Sequence, residues 1–510
     1  MATSERHDPP PSVANRSMKP GQTRAIRAHP ASGTIGETGK SRREPVAAGP
    51  EGPRPGSRDP GFIPVGARAG TGALPHAHLI GIGLLALVLS VAARPAQSAA
   101  DLEGERTPHR RIVNGLTTSD FPTTGALLYS ATGTESTAMG ACSGTLIGCR
   151  TLLTAAHCFA DPSLGTDLDP SHYFVFLQNA GVFAVESIAL SPDYATVISE
   201  NEVSFEDELA DIAVAKLAET VTGISPKPLL TTDPFSLFET DGTYPGTIAG
   251  FGVTEGAAED LGIKRWGRVV AEACPEDISG EPMGEKVLCW PFANPIGFAG
   301  EDSNTCGGDS GGPLFFWIDG TNFVAGVTQA GNNFDCLPGP FEPDISWDTS
   351  VYYYRDFVQG ELGQDSTQAC GNVTPVGAAG TSSEGVEGSL EILEESTGSF
   401  EVAQGTRELR VVMNGIDDGR FDPDLFVRFG TPPASGSSDC AQTQPYPYGA
   451  CTFADPQAGT WHLAVDNRGT RSGEYQVTVT RMPEPVGSMA IVAGLLALSA
   501  VKKRAAIRRR

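Results

Sequence analysis

The sequence predicts an all-β protein built from more than one domain. Three observations carry that expectation. Residues 115–250 read as short apolar runs separated by Gly, Pro, Asp and Ser, the spacing of strands and turns rather than of long helices. Residues 386–480 repeat the same texture as a separate β-rich unit, with Leu409-Arg410-Val411-Val412-Met413 as a short β-branched run. Between them, residues 364–385 are small and polar, which reads as a flexible linker. A chain of 510 residues also exceeds one ordinary domain.

The net charge of −25 is unevenly spread. Basic residues exceed acidic ones by six in residues 1–100 and by six again in 481–510, so the stretch between them carries −37. An acidic body of that size excludes nucleic acid as a partner, because phosphate binding needs a basic face. The acidity is read as solubility. All ten cysteines lie beyond residue 140, mostly in pairable positions, which fits an oxidising compartment.

In chain order, residues 1–76 are rich in Pro, Gly, Arg and Ser and cannot bury a core, so they are expected to be disordered. A start site assigned too far upstream is a plain explanation of this extension. Leu79 to Ala93 is an apolar run of 15 residues, short for a membrane span and right for the core of a signal peptide over 77–100. An N-terminal anchor is the alternative. Ser98-Ala99-Ala100 offers small residues for cleavage before Asp101. Residues 101–111 are polar and end in Arg110-Arg111, after which Ile112-Val113-Asn114-Gly115 begins.

The chemistry concentrates in Cys306-Gly307-Gly308-Asp309-Ser310-Gly311-Gly312-Pro313. Glycines on both sides of a serine let backbone N–H groups approach a reacting atom with no Cβ in the way. Such a turn presents Ser310 as a nucleophile and aims the N–H groups of Gly308 and Ser310 at one point, where an oxyanion would form. Alone, it is also readable as a glycine-rich hairpin. Upstream lie Leu152-Leu153-Thr154-Ala155-Ala156-His157-Cys158 and Ala210-Asp211-Ile212-Ala213-Val214. The order His, Asp, Ser in these contexts resembles the chymotrypsin/trypsin family of serine endopeptidases, from Ile112 to about Gly363.

That resemblance implies a double six-stranded β-barrel closed by a C-terminal helix, the helix matching Tyr354 to Leu362. It implies a triad of His157, Asp211 and Ser310 and no metal in the chemistry. It implies disulfides Cys142–Cys158, Cys274–Cys289 and Cys306–Cys336. The first would close a loop of about 15 residues, worth on the order of 3 kcal/mol in a chain-entropy account. It also implies a zymogen. Cleavage after Arg111 would free the Ile112 amino group to pair with Asp309, and a buried ion pair costs on the order of 3–5 kcal/mol when one partner is missing, so it can act as a switch. Cys149 departs from the family pattern; it either pairs with Cys370 or stays a free buried thiol.

The family's specificity pocket maps onto Asn304 at the floor, Thr328 on the wall and Ala330 at the mouth. Asn304 is neutral where trypsin-like members carry an aspartate. Gln329 removes an aromatic wall. The register of Leu337 to Asp348 leaves two readings: Asp348 points into the pocket and restores a negative charge, or the pocket is neutral and favours small or medium uncharged side chains.

Residues 386–480 resemble the bacterial pre-peptidase C-terminal domain, a small β-sandwich, with Cys440–Cys451 as its bridge. Asp417, Asp418, Asp422 and Asp424 are either Ca²⁺ ligands or a solvated acidic turn. Met482-Pro483-Glu484-Pro485, an apolar run Val486–Val501 and a basic end resemble the PEP-CTERM sorting tail over 481–510. That tail implies a short transmembrane segment, a transient anchor in a Gram-negative bacterium and an exosortase-like partner. The expectation is therefore an exported, monomeric bacterial serine endopeptidase acting on protein or peptide substrates after an activating protease has cut it. A binding protein on a protease scaffold and an esterase are the rival readings.

Overall fold

In the computed structural model the described residues are 112–160, 166–194, 209–256, 258–275, 283–365, 370–371, 373–433 and 436–484. The signal peptide, Arg111 and residues 485–510 of the sorting tail lie outside them. Among the described residues no helix is long and apolar enough to cross a membrane.

Strand β1 (Leu116–Thr117) leads into a closed barrel of six strands: β2 (Thr124–Tyr129), β3 (Met139–Leu146), β4 (Thr151–Thr154), β5 (Tyr173–Leu177), β6 (Gly181–Leu190) and β7 (Ala213–Leu217). They pair in the order β2-β3-β4-β7-β6-β5. The inward residues Leu127, Leu146, Leu152, Val175, Leu177 and Ala215 belong to its core.

The second barrel uses β8 (Thr243–Gly250), β9 (Arg265–Glu272), β10 (Val287–Phe292), β11 (Pro313–Ile318), β12 (Thr321–Gly331) and β13 (Asp344–Ser350). The ring closes through the β8–β9 and β11–β8 pairings, and β1 attaches to β9. Ile112, Leu230, Ile248, Leu288, Trp290, Leu314 and Phe316 form its core. After the four-residue helix α1 (His157–Ala160), the other α-helix used here is α2 (Arg355–Leu362), whose Val358 packs into the first core.

Two further sheets stack as a sandwich. One orders β14 (Ser382–Leu390), β21 (Gly473–Pro483), β16 (Thr406–Gly415) and β19 (Gly449–Ala454). The other orders β15 (Glu395–Val402), β20 (Gly459–Asn467), β17 (Pro423–Phe429) and β18 (Cys440–Gln442). Leu409, Val411, Leu425, Val427, Trp461, Val465 and Val477 fill the space between them. The run Leu409 to Met413 thus lies inside β16.

The expected linker differs. Cys370 is bridged to Cys149, Val376 N donates to Gly223 O (2.8 Å), and β14 already begins at Ser382, paired with Arg481. Small polar composition shows that a segment lacks a core of its own. It does not show whether neighbouring surfaces satisfy its backbone, and here they do. Likewise β21 runs past residue 480 to Pro483, with Met482 fully buried.

The sandwich is also packed onto the barrels. Val412, Tyr446 and Tyr448 share one apolar cluster with Leu128, Phe174, Phe176 and Phe251. Several donors buried there find partners across the contact: Arg410 donates to Thr222 O (2.8 Å), Asn179 Nδ2 to Thr480 Oγ1 (3.1 Å), and Gln178 Nε2 to Asn414 Oδ1 (3.3 Å). Pairing of this kind removes the penalty that unsatisfied buried groups would carry.

Candidate active site

His157 opens α1 at the end of β4, and Asp211 sits just before β7, the strand that pairs with β4. The barrel therefore brings them together across 54 residues. His157 Nδ1 lies 2.5 Å from Asp211 Oδ2, and the His157 backbone N donates to Asp211 Oδ1 at 2.8 Å. Two contacts to one carboxylate set the position of the histidine and aim its ring. Asp211 is 2 % exposed, and its backbone O accepts from Thr349 Oγ1 of the second barrel (2.9 Å).

Ser310 lies in the turn before β11. Its backbone O accepts from Ser143 N (2.8 Å), and Cys158, the neighbour of His157, contacts the same oxygen at 3.8 Å. The turn is pressed onto the histidine-bearing strand: a Cβ at Gly311 (φ +81°) would meet Thr154 Oγ1, Ser143 O and Ala155 N. Only glycine fits that close approach. Cys142–Cys158, Cys274–Cys289, Cys306–Cys336, Cys440–Cys451 and Cys149–Cys370 are all bridged, and no described cysteine is free.

Gly308 has φ +89°. Gly307 O accepts from Val253 N (2.9 Å), and in a planar trans peptide the Gly308 N–H points to the side opposite that carbonyl. Gly308 O is held by Ser143 Oγ (2.9 Å). Asp309 points the other way, into the protein. Its carboxylate accepts from Gly252 N (2.8 Å) and Cys306 N (3.0 Å). Burial pushes its carboxyl up to about 7, against the pull of those two N–H groups and of the Arg265 charge. Ile112 is fully buried in the second core, and Val113 bridges Asn304.

Asn304, the residue expected at the pocket floor, is fully buried, and every part of its amide is used. Nδ2 donates to Cys336 O (3.1 Å) and Asp344 Oδ2 (2.7 Å), while Oδ1 accepts from Ser346 Oγ (2.7 Å). Thr305 Oγ1 lies 3.2 Å from the same Ser346 hydroxyl. Thr328 is buried opposite Asp348, and Ala330 is exposed beyond a bulge in β12. Asp348 is fully buried, with its Cβ against Gly326. No well-formed hydrogen bond reaches either oxygen, although the Thr328 hydroxyl is close enough to oppose part of the burial effect, and burial holds the carboxyl well above the usual range. Asp344 and Ser346 were not singled out in the sequence; the length of the Leu337–Asp348 segment hid which residue would reach Asn304.

Of the four candidate calcium-binding aspartates, Asp417 and Asp418 are engaged elsewhere, while Asp424 feels the charge of Asp422. Asp417 Oδ2 accepts from Gly140 N (2.5 Å) and Tyr448 OH (3.1 Å), and Asp418 is paired with Arg420 and Arg471. Asp424 lies beside Arg468, 4.0 Å away. Cys142, His157 and Cys158 bring possible ligand atoms within 4.8 Å of one another, but their sulfurs are joined in a disulfide and no thiolate is available.

Comparison with known proteins agrees with this geometry. Residues 113–358 match the trypsin family model, and residues 397–467 match the bacterial pre-peptidase C-terminal domain. The first domain is thus a trypsin-family domain, of the serine-type endopeptidase class. The second is a pre-peptidase C-terminal domain. The chain is similar to mouse vitamin K-dependent protein C, 28 % identical over 45 % of this chain and 48 % of that protein. It is similar to mouse transmembrane protease serine 11C, 28 % identical over 44 % of this chain and 48 % of that protein. Serine protease Hayan of Drosophila melanogaster is 28 % identical over 47 % of this chain and 37 % of its own. The chain spans about half the length of the first two.

Proposed function

We propose that residues 112–363 hydrolyse peptide bonds in protein substrates through Ser310, His157 and Asp211. The observation that carries this reading is the 2.5 Å contact of His157 Nδ1 with Asp211 Oδ2, beside a turn that holds Ser310 against the neighbour of His157. Asp211 keeps the Nδ1 proton on the ring, so Nε2 is the nitrogen that takes the Ser310 proton as the hydroxyl attacks the peptide carbonyl. His157 then protonates the leaving amine. The developing oxyanion is met by the N–H groups of Gly308 and Ser310. Water repeats the sequence on the acyl-enzyme and regenerates Ser310.

The fully engaged Asn304 amide and the full burial of Asp348 support a preference for uncharged side chains before the scissile bond. The polar 101–111 stretch, the buried Ile112 and the buried Asp309 support a zymogen that an activating protease cuts after Arg111. The pairing of the freed ammonium with Asp309 would add a direct countercharge to its buried carboxyl, on which the Arg265 charge already pulls. Five disulfides and the apolar run before Asp101 support export from a reducing interior.

The test is labelling of the full chain by a fluorophosphonate, with and without limited trypsin cleavage, with the new N-terminus sequenced and Ser310→Ala as control. Labelling only after cleavage at Arg111, and none in the control, is the expected result. Folded, correctly cut protein that stays unlabelled would sink the peptidase reading in favour of a binding protein. Labelling before any cut would sink the zymogen alone.

A further inference from the structure

The turn formed by residues 258–263 lies between the sandwich and the Ser310 turn. On one side the sandwich grips its backbone. Asp417 N donates to Leu261 O (2.8 Å), Asn414 Nδ2 donates to Gly262 O (2.8 Å), and Gln476 pairs with both the N (2.9 Å) and the O (3.2 Å) of Lys264. Gly262, at φ +97°, lies so close to Gly415 O that no Cβ fits. Ile263 is a member of the sandwich's own core, 1 % exposed. Glu259 is held by Arg420 (2.7 Å) and Arg471 (2.9 Å).

On the other side the same turn touches the Ser310 turn. Leu261 Cδ1 occupies the space where a Cβ on Gly308 would stand, and Leu261 Cδ2 lies 3.1 Å from the corresponding point on Gly140. Gly140 N is itself bonded to Asp417 Oδ2. Glycine moves easily between left- and right-handed basins, so the φ of +89° at Gly308 must be held by its surroundings. The Ser143 hydroxyl, Val253 N and the Leu261 side chain provide them.

We propose that the C-terminal sandwich is a positioning element for the oxyanion turn, acting through Leu261 against Gly308. Asn414, Asp417 and the buried Ile263 fix the 258–263 turn, and that turn keeps the Gly308 N–H aimed at the developing oxyanion. The sandwich is then a working part of the peptidase rather than a removable appendage. This rests on the proposed role of Gly308 as an oxyanion donor.

The experiment uses the full chain, cut after Arg111, as parent, Leu261→Ala, Leu261→Met and Asn414→Ala. Deleting an oxyanion donor outright costs about 10²–10³ in kcat, so loosening one should cost about tenfold. The expected result is a fall of that size in kcat for Leu261→Ala and Asn414→Ala, with KM within about twofold, since the interaction is made in the transition state. Affinity for a peptide aldehyde, which forms a tetrahedral adduct on serine, should fall by the same factor, and affinity for the matching peptide alcohol should not. Leu261→Met should restore most of both. Backbone amide exchange over residues 305–312 should quicken in the two alanine variants while the β16 and β21 amides stay protected. Unchanged kcat with unchanged exchange at 305–312 would overturn the inference. If even the parent resists phosphonate labelling, the peptidase reading fails, and the exchange comparison still decides whether the sandwich positions the turn.

Discussion

Buried Asn304 donates to Asp344 across 2.7 Å, and Ser346 closes the other side of the same amide. An amide with both ends occupied has nothing left to offer a cationic side chain. Substrates with Ala, Leu or Met before the scissile bond should be cleaved at least tenfold faster, by kcat/KM, than those with Lys or Arg. A peptide library read by mass spectrometry checks this; a preference for Arg would mean that the Asp344 charge reaches the substrate.

Replacing Asp344 by Ala strands the Asn304 donor in a buried site. A buried unsatisfied donor costs on the order of 1–3 kcal/mol. The urea midpoint should drop accordingly with an unchanged slope. No drop would show that the site rearranges to repair itself.

Asp211→Asn keeps the shape of the site and loses the acceptor that holds the His157 tautomer. By analogy with the same change in other triads, kcat should fall on the order of 10⁴, with KM little altered. A fall below tenfold, measured with a peptide ester and a peptide amide, would remove Asp211 from the mechanism.

Asp309 links stability to pH in a definite direction. Its carboxyl is raised from 3.8 to about 7 in the folded chain, so the folded state holds a proton that the unfolded state has released. Its stabilising effect is complete below about pH 4 and is lost as the pH climbs through 7, an effect on the order of 4 kcal/mol at most. Relative to the parent, Asp309→Asn should flatten this part of the urea stability profile between pH 4 and 7. Cleavage after Arg111 should flatten it too, if the Ile112 ammonium takes up the pairing. An identical slope in the cut form would argue that the ammonium does not reach Asp309.

The shared cluster of Phe176, Phe251, Val412 and Tyr448 makes the sandwich and the barrels one cooperative unit. Calorimetry should show a single transition. Replacing Cys149 and Cys370 by Ser should lower stability by about 2–4 kcal/mol and leave that single transition in place, because the interface does not depend on the bridge. Two separate transitions in the parent would contradict the shared core.

Much of this protein is legible in its sequence because the signals are local. The glycines around Ser310, the Thr-Ala-Ala before His157 and the apolar run after Asp211 each encode a backbone shape within a few residues, and their order along the chain identifies the peptidase domain. The strands of the sandwich show themselves by β-branched runs, and eight of the ten cysteines fall where the two family patterns place them. The partner of Cys149 stayed open, because nothing near it in sequence tells which distant thiol lies beside it.

What the tertiary structure alone decides is every relationship across a large sequence gap. Asp344 meets Asn304 forty residues away because β13 returns past the Cys306 turn, while Asp348 ends fully buried, which pushes its carboxyl up. The segment that reads as a linker finds backbone partners on two neighbours. Leu261 lies against Gly308, and the turn that carries it is hydrogen-bonded by Asn414 of β16 and, at Lys264, by Gln476 of β21. Composition and motif determine which chemistry a chain carries. Which groups are desolvated, paired or pressed against the reacting turn depends on packing, and packing is a property of the whole fold.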